Sequence, residues 1–85
     1  MNDKNQAEVD IAAELSRLNA EIAANQNDDT LYYLRGRLYW RLGQKSLAIS
    51  DYECAVALNS GSPASAALKI ARDVMDFYNK DLYNP

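Results

Sequence analysis

The stretch LYYLRGRLYWRLG, residues 31–43, gathers the side chains best suited to chemistry. It holds three arginines, three tyrosines and one tryptophan, set among four leucines and two glycines. The chemistry they offer is recognition. A guanidinium presents a planar fork of donors that pairs with a carboxylate through two bonds. An indole offers a large apolar plate with one polar N–H. Arginine, tryptophan and tyrosine are also the residue types that dominate binding hot spots. Between Thr30 and Ser50 lie four cations, Arg35, Arg37, Arg41 and Lys45, and no acid; all twelve carboxylates fall outside that window. With no acid beside them, Arg37 and Arg41 favour an anionic ligand.

Catalysis finds little support in the same inventory. The chain has no histidine, so the commonest general base is missing. Cys54 is its single cysteine and has no histidine to activate it. It is read as an inert helix residue, and no disulfide can form within the chain. Asp51 with Glu53, and Asp73 with Asp76, are carboxylate pairs of a kind that usually sits on solvated helix surface, and Asp76 can pair with Lys80 one turn on. Sulfur or imidazole at metal-site spacing is absent, as is a glycine-rich phosphate loop. No cofactor is expected.

The elements that must position the arginines are helices. Eighty-five residues make one domain, 1–85, with a thin core. The apolar fraction of 48% and charged fraction of 25% are ordinary for a soluble protein. No apolar run approaches the ~18 residues of a membrane span, and the polar first residues lack a secretory core, so a cytoplasmic chain is expected. A net charge of −3 argues against general nucleic-acid binding. Residues 1–6 are read as frayed. Residues 7–24 form a helix whose Ile11, Leu15, Leu18 and Ile22 line one face. Asp28 or Asp29 caps a second helix over 30–42, and Gly43 stops it. A third, over 45–59, turns Leu47, Ala48, Tyr52, Ala55 and Val56 inward. After the turn Ser60-Gly61-Ser62-Pro63, Ser62 caps a fourth with Pro63 at its first position, and this helix runs to about Tyr78 or Asn79. The remaining tail is expected to lie over the surface. The alternation of a strand is missing throughout. The fold class is therefore all-α.

On a helical wheel, residues 31–43 separate into three faces. Tyr32, Gly36, Tyr39 and Gly43 share one. Leu31, Leu34, Leu38 and Leu42 share a second, expected to pack on the first helix. Tyr33, Arg37, Trp40 and Arg41 share the third. Glycine is a poor helix former, so Gly36 implies a neighbouring helix too close for a side chain. The third helix supplies small Ala48 and Ala55 with Tyr52 between them, which lets two helices interlock.

This spacing resembles a tetratricopeptide repeat. That family's pattern runs Trp-x2-Leu-Gly-x2-Tyr, then Ala-x3-Phe, then Pro, over about 34 residues. Here Tyr32, Arg35, Gly36 and Tyr39 occupy the first part, Ala48 and Tyr52 the second, and Ser60 the proline position; Ala55 and Gly43 also match. Tyr32, Arg35 and Ser60 depart from the pattern. The matched unit is residues 29–62. The flanks depart further, with Glu14 and Glu21 where small residues belong, and Ile70 and Asp73 where glycine and tyrosine belong. The resemblance therefore implies one full repeat between a degenerate leading helix and a capping helix that carries Leu68, Ala71, Val74, Met75 and Tyr78. It also implies a non-enzymatic protein-interaction module whose first helix lines a concave surface: Thr30, Tyr33, Arg37, Trp40 and Arg41.

The expected ligand is a peptide with acidic side chains or a free C-terminal carboxylate, its apolar residue resting on Trp40. Two other readings stand beside it. A chain with little more than one repeat gains burial by pairing with a second copy, which would cover Trp40 or Val74, Phe77 and Tyr78. The chain's own end, with Asp81, Tyr83 and the terminal carboxylate of Pro85, is an internal candidate for Arg37 or Arg41. A nucleic-acid-binding helix-turn-helix made by the second and third helices is a distant further reading, against the acidic balance.

Overall fold

A computed structural model of the chain describes the backbone of residues 3–83 and the side chains of residues 9–78. Four helices account for the fold: α1 (Asp3–Ala24), α2 (Asp29–Arg41), α3 (Lys45–Leu58) and α4 (Ala64–Tyr83), with no strand among the described residues. The protein is all-α.

Helix boundaries follow local chemistry. The Asp28 carboxylate accepts a bond from the Thr30 backbone N–H at 3.0 Å and starts α2. Gly43, at φ +79°, stops it. The Gly43 N–H donates to the Trp40 carbonyl and the Gln44 N–H to the Tyr39 carbonyl, the paired bonds of a Schellman motif. The Ser62 hydroxyl accepts from the Ala64 N–H at 3.1 Å and starts α4, with Pro63 directly before the first helical residue. Two ends differ from expectation. Helix α1 begins at Asp3 rather than residue 7, and α4 runs to Tyr83 rather than ending near residue 79. No glycine or proline interrupts residues 3–7 or 79–83, so nothing local halts either helix. The expected contacts of Asp81, Tyr83 and Pro85 with the arginines, and of Asp76 with Lys80, lie outside the described side chains.

Each helix packs on its chain neighbours, most extensively α2 on α3. The core cluster is Ala48, Tyr52 and Ala55 of α3 with Ala64, Leu68 and Ala71 of α4. Tyr32, Tyr33, Tyr39 and Trp40 of α2 pack against it. Small residues on two helices thus receive the large aromatic side chains of the third. Ile11, Leu18 and Ile22 of α1 are buried, while the leucines of α2 are only half-buried. Leu47 and Tyr78, both expected inside, are exposed. Leu47 stands about a quarter turn around α3 from the core residues Ala48 and Ala55, and Tyr78 lies about two turns beyond Ala71, the last core residue of α4.

The Cα trace extends 43 × 41 × 17 Å. The radius of gyration, 14.4 Å, exceeds the ~12 Å of a compact domain of this length. This is an open array, and it leaves grooves between helices.

Candidate functional site

Helix α2 is fixed to α3 through its glycine face. Gly36 is buried, and a Cβ there would stand 2.7 Å from Tyr52 Cε1 and 3.2 Å from the Ala48 carbonyl oxygen. The ring of Tyr52 occupies the space the missing side chain leaves. Tyr32 reaches the other way, its hydroxyl donating to the Gln26 carbonyl at 3.0 Å, and ties α2 to the α1–α2 turn.

Arg35 adds a second tie. Its Nε and Nη2 donate to the two carboxylate oxygens of Asp51 at 2.8 and 2.7 Å, and its Nη1 donates to Asn19 Oδ1 at 3.0 Å. One side chain therefore joins α1, α2 and α3. Its guanidinium also lies 5.7 Å from the Tyr32 ring centre and 5.8 Å from that of Tyr39, within cation–π range. Hydrogen bonding to Asp51 raises the Arg35 pKa further. This corrects the expectation that Asp51 and Glu53 form a solvated pair. Asp51 is buried and bound to Arg35, while Glu53 pairs with Arg72 across α3 and α4 at 2.6 Å. Arg35 is not a defect in the helix pattern; it is neutralised by Asp51, the first residue past the acid-free window.

Held in this way, α2 turns Tyr33, Arg37, Trp40 and Arg41 into a groove of about 260 Å³, closed on the other side by Ala67, Ile70 and Ala71 of α4, with Tyr52 contributing from α3. Tyr33 and Tyr52 meet at 6.2 Å between ring centres, tilted by 39°. The Arg37 guanidinium stands 5.7 Å from the Tyr33 ring centre. Burial pushes the Tyr52 phenol up; Tyr33 adds to the shift and Arg37 opposes it. Trp40 is half-buried, packed against the core cluster on one side and lining the groove on the other. Lys45 Nζ lies 5.6 Å from the Trp40 ring centre and 5.7 Å from that of Tyr78, between two aromatic rings.

Four of the five expected contact residues thus share one groove. Thr30 does not join them. It is exposed in the first turn of α2, its backbone N–H bound to Asp28, and it lies outside the groove lining. One helical turn separates it from Tyr33, but the groove opens further along α2, where α4 approaches.

No family model, curated protein or solved structure matches this chain. Function must therefore be argued from the chain's own geometry.

That geometry holds features that sequence reasoning missed. A second groove, about 140 Å³, runs on the α1 side of α2, lined by Glu14, Leu18, Leu34, Leu38, Arg37 and Arg41. Leu34 and Leu38 were assigned wholly to packing; on the wheel they directly flank the two arginines, and that adjacency was the available signal. Glu14 carried no such signal, because it comes from another helix. It corrects the expectation that no acid stands near Arg37 and Arg41. Glu14 is nonetheless engaged with Arg17, which holds its carboxyl below the usual range; Arg17 also pairs with Glu21 at 3.0 Å. Ile70, Phe77 and Tyr78 are exposed along α4, and Phe77 and Tyr78 meet edge to face at 5.7 Å.

Among the described residues, no group of three or more His, Cys, Asp or Glu could hold a metal ion. Among the same residues, no helix is long and apolar enough to cross a membrane.

Proposed function

We propose that the chain is a non-enzymatic, cytoplasmic interaction module built like a tetratricopeptide repeat, which binds an acidic or C-terminal peptide segment along Arg37, Arg41, Trp40 and Tyr33. One contrast carries the reading. Arg17, Arg35 and Arg72 each pair with a carboxylate, whereas Arg37 and Arg41 are exposed at the rim of an aromatic groove with no carboxylate partner among the described residues. An exposed pair of guanidiniums beside apolar surface suits a ligand that brings both carboxylate and apolar groups. The close Gly36–Tyr52 crossing and the sequential packing of α1 to α4 support the repeat architecture. The test is fluorescence anisotropy with a labelled glutamate-rich peptide bearing a free C-terminus. Arg37→Ala with Arg41→Ala should weaken binding by about tenfold or more while the circular dichroism spectrum is unchanged. Equal binding by the double variant removes this reading.

A second reading rests on α4. Ile70, Phe77 and Tyr78 are 62%, 75% and 66% exposed, and side chains of this kind suit pairing with a second copy. Sedimentation across a wide concentration range decides it: a strict monomer removes self-assembly.

A further inference from the structure

Arg37 and Arg41 border two grooves, one on each side of α2. On the α1 side the apolar lining is Leu18, Leu34 and Leu38. On the α4 side it includes Tyr33, Trp40 and Ile70. The arginines form the ridge between them, exposed and without a carboxylate partner among the described residues. Glu14 also lines the α1-side groove, with its carboxylate engaged by Arg17. A ridge of positive charge between two channels that each carry apolar side chains is complementary to a ligand with the inverse order.

We infer that the ligand is an internal segment laid across α2, with one carboxylate flanked on both sides by apolar side chains that enter the two grooves. This rests on the peptide-binding reading above and narrows it. The spacing follows from geometry. Grooves on opposite sides of a helix stand ~10–12 Å apart. An extended chain advances about 3.3 Å per residue, and alternate side chains share a face. Residues i and i+4 therefore span ~13 Å on one face, with i+2 between them. The motif is apolar–x–Asp/Glu–x–apolar. Arg37 and Arg41, one turn apart at ~6 Å along the axis, hold the central carboxylate. A chain terminus bearing its carboxylate on these arginines would fill one groove and leave the other empty.

The experiment uses a labelled peptide, acetylated and amidated, with the core Ser-Leu-Ser-Glu-Ser-Leu-Ser, and versions with either leucine replaced by serine. The full chain should bind the parent peptide, and loss of either leucine should weaken binding about tenfold. Ile70→Ser and Leu38→Gln should each weaken the parent peptide and each abolish sensitivity to one of the two leucines. Ile70 is already exposed, so its variant and the peptide series stand even if Leu38→Gln unfolds. If one leucine proves irrelevant, or only a peptide with a free carboxylate and a single apolar residue binds, this inference is overturned while the broader acidic-peptide reading stands. If Arg37→Ala with Arg41→Ala leaves binding unchanged, the broader reading falls as well. A dimer seen by sedimentation and dissolved by both Ile70→Ser and the arginine double variant places a second copy in the grooves and overturns the inference.

Discussion

At Gly36 the missing Cβ is what the packing depends on. Alanine is better than glycine in a helix interior by ~1 kcal/mol. Here the added methyl would meet Tyr52 at 2.7 Å, and Tyr52 is buried. Overpacking of this kind costs ~1–3 kcal/mol. Gly36→Ala should therefore lower the unfolding free energy by up to about 2 kcal/mol in a urea titration despite the better propensity; a stabilised variant would mean that the ring moves aside freely. Arg35 offers a complementary test. Arg35→Leu strands the Asp51 carboxylate, 4% exposed, without its partner. Breaking such a pair from one side costs ~3 kcal/mol, whereas removing both charges costs much less. Asp51→Ala added to Arg35→Leu should recover most of the loss on the same titration. Gly36 was legible in the sequence because a glycine inside a strong helical pattern demands a close neighbour. The ion pair was not, because Arg35 and Asp51 belong to different helices and only the α2–α3 crossing brings them together.

At the scale of the helix, stops and starts are local events and most were readable. Asp28, Gly43 and Ser62 perform the capping roles that their residue types imply. Gly43 contrasts with Gly36. Nothing lies within 4 Å of a Cβ placed at Gly43, but its φ of +79° is unfavourable for residues with a side chain. Gly43→Ala should cost about 1 kcal/mol through backbone strain alone, lowering Tm by about 4–8 °C in a calorimetric scan, and Gly43→Asn should cost less. If the two substitutions behave alike, the left-handed cap is not the cause. The outer limits of α1 and α4 differ from expectation for another reason: both lie near chain ends, where a frayed start and a surface tail were expected, although no residue within 3–7 or 79–83 breaks a helix.

Across the whole molecule, packing is sequential and the core is off-centre. The core cluster lies in α3 and α4 with α2 packed upon it, whereas α1 meets only α2 extensively. In such an array, stability passes between neighbours, and an end helix opens most easily. Hydrogen exchange should therefore show the slowest amides in α3 and faster exchange throughout α1; uniform protection would mean one cooperative core. The sequence by itself determined the helical class, the turns and the stripe of Tyr33, Arg37, Trp40 and Arg41, because periodicity and capping act over one or two helical turns. Only the tertiary structure decided which arginines keep their charge unpaired, that Thr30 stands apart, and that two grooves flank the ridge. Those outcomes depend on where the other three helices come to rest, and on acids and apolar side chains that they carry in from distant positions in the chain.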